Sequence, residues 1–267
     1  MEKRRCALVT GASSGIGEAI ARRLAADGLL VFGTSRRPTN SGKAGIELLV
    51  LDVTDDESVG KAVDHVVRAT GRLDVVVNSA GTTLVGAIEE TSTAEARSLL
   101  ETNLLGVHRV TRAALPHLRA VAGQIIIIGS IAGFLPKPAE GFYSATKYAL
   151  EGYFDVSRIE TAAFGVRAAL VEPGFVRTNL AAKASVVREP LALYDALRSN
   201  LSARLERDVN AGVSPELVAK CVSGIVASAS PKARYLVGRE AAKLRWLKTV
   251  LPARVFERGL RRRFALA

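Results

Sequence analysis

The chain has 267 residues, of which 37 are Lys or Arg and 26 Asp or Glu, giving a formal net charge of +11. That length suits one large α/β domain, and the longest aliphatic stretch, Ile125-Ile126-Ile127-Ile128, falls far short of the roughly 20 apolar residues of a membrane-spanning helix. From Pro231 onward there are eleven Lys or Arg against only Glu240 and Glu257, so the excess charge belongs to the tail and the rest is no general polyanion binder.

Met1-Glu2-Lys3-Arg4-Arg5 carries the charge of a secretion leader, but the following apolar segment stops at Thr10-Gly11 without a small-residue cleavage site. A first strand and a cytoplasmic protein are expected. Cys6 and Cys221 suit a reducing compartment and read as core filler. His65, His108 and His117 form no ligand pattern with Cys or carboxylates, so no metal is expected.

Short apolar runs predict strands at Arg5–Thr10, Leu29–Thr34, Glu47–Leu51, Leu73–Asn78, Gln124–Gly129, Val166–Glu172 and Arg234–Val237. Amphipathic segments between them predict helices at Gly15–Asp27, Asp55–Thr70, Thr93–Leu118, Tyr143–Phe164 and Pro215–Ser228. Strands that are apolar throughout are covered on both faces, which implies a parallel, doubly wound sheet of about seven strands with helices on both faces. One domain, residues 1–267, is the economical division. Asn179–Gly212 interrupts the alternation at the carboxyl end of the sheet and is long enough to be a substrate lid. Ala241–Ala267 reads as a basic helical tail, with Leu244, Leu247 and Leu251 on one face. Such a tail suits an anionic membrane surface, but docking on its own domain or on a partner subunit is the favoured reading.

Thr10-Gly11-Ala12-Ser13-Ser14-Gly15-Ile16-Gly17 joins the first strand to the first helix. Its glycines permit a tight turn and close approach to a diphosphate, which the helix N-terminus attracts. The Gly-x-x-x-Gly-x-Gly spacing resembles that of the short-chain dehydrogenase/reductase family. The resemblance covers about the first 180 residues closely and the later ones more loosely, and it implies a Rossmann-like fold.

An NAD enzyme commonly places an acid at the end of the second strand to hold the ribose hydroxyl. This chain has Ser35-Arg36-Arg37 there, and guanidinium suits a 2′-phosphate. NADP(H) is therefore the expected cofactor, with Arg36 the first choice for the phosphate and Arg37 the second. Asp52-Val53 matches the family position at the adenine. Asn78-Ser79-Ala80-Gly81 matches the usual Asn-Asn-Ala-Gly, with Ser79 as a departure. Pro173-Gly174-Phe175-Val176-Arg177-Thr178 resembles the segment whose Val176 backbone and Thr178 hydroxyl hold the nicotinamide carboxamide.

Tyr143-Ser144-Ala145-Thr146-Lys147 places a phenol and an ammonium one helical turn apart. A phenol titrates near 10 in water, and a neighbouring cation favours its phenolate. Ser130 matches the family's catalytic serine, able to donate to the substrate oxygen. Asn103 matches the fourth catalytic residue, implied to hold a water that relays protons from Lys147. Four matches in chain order, Asn103, Ser130, Tyr143 and Lys147, imply interconversion of a carbonyl and an alcohol, with Tyr143 and Lys147 also against the cofactor.

The lid offers Leu180, Ala181, Val186, Val187, Leu191, Leu193, Tyr194 and Leu197, so a hydrophobic ketone or aldehyde and its alcohol are expected. Gly129 through Asp155, especially Tyr148-Ala149-Leu150-Glu151-Gly152, is similar to the 17-beta-hydroxysteroid and retinol dehydrogenase branch. A 3-oxoacyl thioester reductase of the same family is the alternative enzyme, and a non-catalytic NADP(H)-sensing regulator the alternative from another class. No nucleic-acid-binding module is recognisable. Family precedent implies a homodimer or homotetramer built on the helices at Thr93–Leu118 and Tyr143–Phe164.

Overall fold

The computed structural model describes residues 4–37, 45–178 and 184–264. The expected alternation is present in chain order. Strand β1 (Cys6–Val9) leads into α1 (Gly15–Ala26), followed by β2 (Leu30–Ser35), β3 (Ile46–Val50) and α2 (Asp56–Thr70). Then come β4 (Val75–Asn78), the short β5 (Leu84–Val85), α3 (Thr93–Leu100), a π-helical turn at Glu101–Leu105 and α4 (Gly106–Ala120). Strand β6 (Gln124–Ile128), a 3-10 turn at Ile131–Gly133, α5 (Gly141–Ala162) and β7 (Arg167–Pro173) complete the central part. The last third holds the short β8 (Ser185–Val186), α6 (Asp195–Asn210), α7 (Pro215–Ala227), β9 (Arg234–Val237), α8 (Arg239–Val250) and α9 (Ala253–Arg263).

Seven parallel strands form one sheet in the order β3-β2-β1-β4-β6-β7-β9. The chain therefore winds outward in both directions from β1 and β4, and the crevice between their carboxyl ends is the topological switch point. Sequence reading and structure agree here for a simple reason: β1, β4 and β6 are buried along their whole length. Residues pointing to one face, such as Leu8, Val76, Ile125 and Ile127, pack with Val59 and Val66 of α2, Val110 and Leu118 of α4 and Phe154 of α5. Those pointing to the other, such as Val9, Val77 and Ile126, pack with Ile20 and Leu24 of α1 and Val218 and Val222 of α7. Each such aliphatic side chain contributes about 1.5–3 kcal/mol.

The helix expected over Thr93–Leu118 runs through but is not uniform: Glu101–Leu105 form a π turn. The extra residue in that turn is invisible to hydrophobic periodicity, and it is where Asn103 is carried. Ser92 starts the helix with a capping box to Glu95.

The segment read as a lid is tied to the domain at two places within its described part. Strand β8 pairs in parallel with β5, Leu84 opposite Ser185 and Val85 opposite Val186. Arg198 of α6 pairs with the buried Glu90 carboxylate, which also accepts from the Leu191 amide at 2.8 Å. Leu180 and Ala181 lie outside the described residues. Val186 and Leu193 are exposed, whereas Val187 is buried and Leu197 packs inward.

The tail docks on its own domain through one face. Ala241 and Leu244 of α8 and Phe256 and Leu260 of α9 pack on Ile131, Phe134 and Leu135. Phe264 packs with Val85, Ala139 and Leu201. No helix among the described residues is long and apolar enough to cross a membrane.

A buried acid ties α8 to the sheet. Glu172 near the end of β7 is 1% exposed, and Arg245 of α8 lies 3.7 Å from its carboxylate. Burial, reinforced by the neighbouring Glu151 carboxylate, pushes Glu172 up from 4.5 to about 7. Its folded pKa lies above its unfolded one, so its contribution to stability is fully present below pH 4.5 and is lost as pH rises toward and through 7. Removing this group with Glu172→Gln is expected to flatten the thermal-stability profile between pH 5 and pH 8 relative to wild type (about the window of that shift). Parallel wild-type and variant profiles in thermal unfolding across those pH values would refute the assignment.

Candidate active site

Two turns meet at the switch point. Gly11 has φ +67°, and a Cβ placed on it would stand 2.9 Å from the Ala80 Cα. A Cβ on Gly17 would stand 2.4 Å from the Gly11 carbonyl oxygen, so the first turn of α1 closes against the loop only with glycine there. Ser13 and Ser14 are exposed at the positive end of α1, and the Ser14 hydroxyl does not cap the helix. Thr10, passed over in the sequence reading, holds the two turns together: its hydroxyl oxygen accepts from the amides of Ser79 and Ala80 at 2.9 and 3.0 Å. A cavity of about 360 Å³ opens beside Gly15, lined also by Arg22, Arg177 and Thr178. A Cβ placed on Gly15 would stand 3.3 Å from the side chain of Thr178, 163 residues on in sequence. The turn fits a dinucleotide diphosphate: its glycines bring backbone rather than side chains to the N-terminus of α1, while Glu18 and Glu216 also line the cavity.

Other expected cofactor positions divide into two kinds. Arg36 and Arg37 are exposed at the carboxyl end of β2. Asp52 is held below the usual carboxylate range by hydrogen bonds from the Thr54 amide and hydroxyl at 2.9 and 2.8 Å. Val53 turns its side chain inward against Gly106. Asn78 points away from the crevice, donating to the Thr111 hydroxyl of α4 at 3.2 Å, so its amide braces the sheet to a helix. Gly81 lies against the Asn103 side-chain oxygen. At the end of β7, Pro173 pairs with Val237, and the Gly174 amide donates to the Val237 carbonyl at 3.0 Å. The bridge of Val176 with Val213 uses the Phe175 carbonyl and the Arg177 amide, so the backbone groups of Val176 are turned to the other side.

The four expected catalytic side chains converge on the N-terminal half of α5. Ser130 follows β6 at the start of the 3-10 turn, and its hydroxyl oxygen accepts from the Ala132 amide at 3.1 Å and is hydrogen-bonded with the Tyr143 phenol. Tyr143 and Lys147 are both buried. The Lys147 ammonium donates to the Ile128 carbonyl at 3.0 Å and lies 5.9 Å from the centroid of the Tyr143 ring. Asn103 accepts from the Thr82 amide at 2.9 Å and donates to the Thr82 carbonyl at 2.9 Å and the Thr146 hydroxyl at 3.1 Å. The π turn thus points one amide at both the β4–β5 segment and α5, the kind of placement for which such turns are used at functional sites. Burial pushes the Tyr143 phenol up, with the Glu140 carboxylate adding to it and the Ser130 hydrogen bond opposing. Burial pushes Lys147 down to about 8, opposed by Glu151.

Two charged residues beside this group carry no signal in the sequence beyond turn composition. Lys137 and Glu140 are buried and form an ion pair. The Glu140 carboxylate also accepts from the Thr83 hydroxyl at 3.0 Å. The Lys137 ammonium lies 5.6 Å from the Tyr143 ring centroid and 5.8 Å from that of Phe175.

A family model described as short chain dehydrogenase matches residues 5–188. A 3-ketodihydrosphingosine reductase from Bacteroides thetaiotaomicron is 37% identical over 235 residues, covering 86% of this chain and 87% of that protein. An NADPH-dependent 3-dehydrocapnine reductase from Ornithobacterium rhinotracheale is 32% identical, covering 95% of each. Among solved structures, a short-chain dehydrogenase from Streptomyces avermitilis superposes with a TM-score of 0.79 at 33% identity, over 94% of this chain and 98% of that one. By its fold, its glycine cradle and the match over residues 5–188, the chain belongs to the short-chain dehydrogenase/reductase family of oxidoreductases.

Proposed function

We propose that the protein is an NADP(H)-dependent oxidoreductase that interconverts a hydrophobic ketone or aldehyde and its alcohol, with Tyr143 as the proton donor and acceptor. The observation that carries this reading is the convergence of Tyr143, Ser130, Lys147 and Asn103 from three separate elements beside a glycine cradle. NADPH, when bound, supplies the hydride. Arg36 and Arg37 would hold its 2′-phosphate, Gly11 to Gly17 its diphosphate, and Val176 and Thr178 its carboxamide. The NADPH dependence in the name of the Ornithobacterium relative agrees with that choice.

In reduction, the hydroxyls of Ser130 and Tyr143 donate to the carbonyl oxygen, and the phenol then yields its proton to the alkoxide. Burial keeps the phenol protonated, the form this direction requires. Lys147 and a water held by Asn103 return a proton to the phenol. In oxidation the phenolate must form, and the Lys147 ammonium beside the ring favours it.

The surroundings favour an apolar substrate. Phe134 and Leu135, which follow Ser130, are packed with Phe175 and with Leu244, Phe256 and Leu260 of the tail, and Val85 packs with Leu201 of α6, so the chain around the site is aliphatic and aromatic. Residues 184–212 serve as the lid, and α4 with α5 as the face for self-association, where Val156 and Ile159 are exposed.

A panel of carbonyl compounds followed by NADPH oxidation, with NADH in parallel, tests the reading. Turnover of long-chain ketones with NADPH at least about tenfold better than with NADH is expected. Turnover confined to small hydrophilic carbonyls, or to acyl-carrier thioesters, would overturn the substrate assignment.

A further inference from the structure

The tail is docked on its inner side only. Ala241, Leu244, Phe256 and Leu260 of α8 and α9 share one cluster with Ile131, Phe134 and Leu135, so the opposite sides of both helices point away from the domain. Along α8 that outer side carries Arg239, Lys243, Trp246 and Val250, whose spacings of three and four residues keep them in one stripe. Along α9 it carries Val255, Arg258 and Arg262, with Arg254 beside them. All are exposed, Trp246 by 63%, Val250 by 50% and Val255 by 47%.

The charge of this side is not compensated within the tail. Its two acids, Glu240 and Glu257, are held by Arg263 and Arg261 at 2.9 and 2.8 Å. Arg239, Lys243, Arg254, Arg258 and Arg262 have no ion pair among the described residues. A helix face that is merely solvated interleaves acids with bases. This one interleaves bases with apolar groups, the only tryptophan of the chain among them.

We propose that the outer side of α8 and α9 is a docking surface for an anionic lipid membrane, on which both helices lie flat. The inference is independent of the reading of Tyr143.

The chemistry of the stripe selects lipid over other polyanions. Five unpaired cations suit a layer of negative headgroups. Trp246, Val250 and Val255 gain from docking only where an apolar layer lies directly beneath that charge, and tryptophan favours this boundary. A nucleic-acid backbone offers the phosphates without an apolar layer. A second copy of the chain would set like charges against each other. Helices of twelve and eleven residues are too short to cross a bilayer, which leaves attachment in the plane of its surface. Because their inner side rests on residues that directly follow Ser130, attachment holds that end of the crevice about 10–12 Å, one helix diameter, from the lipid.

The test mixes the full-length protein with vesicles of phosphatidylcholine alone, or of phosphatidylcholine with an equal share of phosphatidylglycerol. Trp246 emission reports burial of the stripe, and cosedimentation gives the affinity. Wild type is expected to bind the anionic vesicles with a shift of emission to shorter wavelength, to ignore the neutral ones, and to weaken with added salt. Each basic residue close to such a surface is worth about fivefold in affinity, so Arg254→Glu/Arg258→Glu/Arg262→Glu should lower it by about 100-fold or more. Trp246→Ala/Val250→Ala leaves every charge in place and should lower it by about tenfold. Arg68→Glu/Arg97→Glu/Lys220→Glu, the same change of net charge on exposed residues of other helices, should keep most of it. No binding to the anionic vesicles overturns the proposal. Binding without an emission shift, or an equal loss in the variant of the other helices, reduces it to attraction by net charge and also overturns it. The same emission shift with duplex DNA, or with rising protein concentration and no lipid, assigns the stripe to nucleic acid or to a second copy instead.

Discussion

Tyr143→Phe is expected to lower kcat for carbonyl reduction by about 10²–10⁴-fold while leaving NADPH affinity nearly unchanged. The variant removes one hydroxyl and keeps the ring, so the packing against Lys147 and Lys137 persists. What is lost is the proton donor and the partner of Ser130. The pH dependence has a definite sign. Burial holds the phenol protonated, so reduction by wild type should stay level through neutral pH. Oxidation of the alcohol requires the phenolate and should rise with pH. NADPH fluorescence titration and steady-state rates in both directions, from pH 6 to about 9.5, measure all of this across the pH at which Lys147, pushed down to about 8, titrates. A variant that binds NADPH and retains full turnover would remove Tyr143 from the mechanism.

The second large effect concerns the cofactor. Arg36→Ala/Arg37→Ala should reduce the ratio of kcat/KM with NADPH to that with NADH by about 100-fold, through loss of charge-assisted bonds to the 2′-phosphate. Both guanidiniums are exposed, so added salt should weaken the wild-type preference and leave the variant little affected. The rate with NADH should hardly change, because its free ribose hydroxyl gives the arginines no anion to bind. Ser35→Asp should act in the same direction by repelling the phosphate. An unchanged ratio in the double variant would remove Arg36 and Arg37 from the 2′-phosphate contact.

Much of the site is legible in the sequence because its residues are locally encoded. The glycine spacing after β1 and the four-residue spacing of Tyr143 and Lys147 each describe one turn of chain. What escapes is whatever depends on a partner distant in sequence. Asn78 reads as a cofactor neighbour, but its amide is taken by Thr111 of α4, 33 residues on. Thr10 looks like the last residue of a strand, yet its hydroxyl joins the two turns of the crevice. The π turn around Asn103 leaves no trace in a period of 3.6, because one added residue shifts the face without changing which residues are apolar.

The sequence by itself determines the doubly wound sheet and the order of its elements. Strands apolar on both faces have no stable arrangement except between two helix layers, and the right-handed crossover leaves few topologies. It also carries the cradle and the Tyr143–Lys147 pair, each within a single helix terminus. Tertiary structure alone decides the chemistry around them. Burial, which no residue type specifies, moves Tyr143 and Lys147 in opposite directions. Packing of the tail and α6 closes over residues 131–139, which lie far from both in sequence. Only the folded loop reveals Lys137 and Glu140 as a buried pair beside the Tyr143 ring, since two charges three residues apart in a proline-containing turn would otherwise face water.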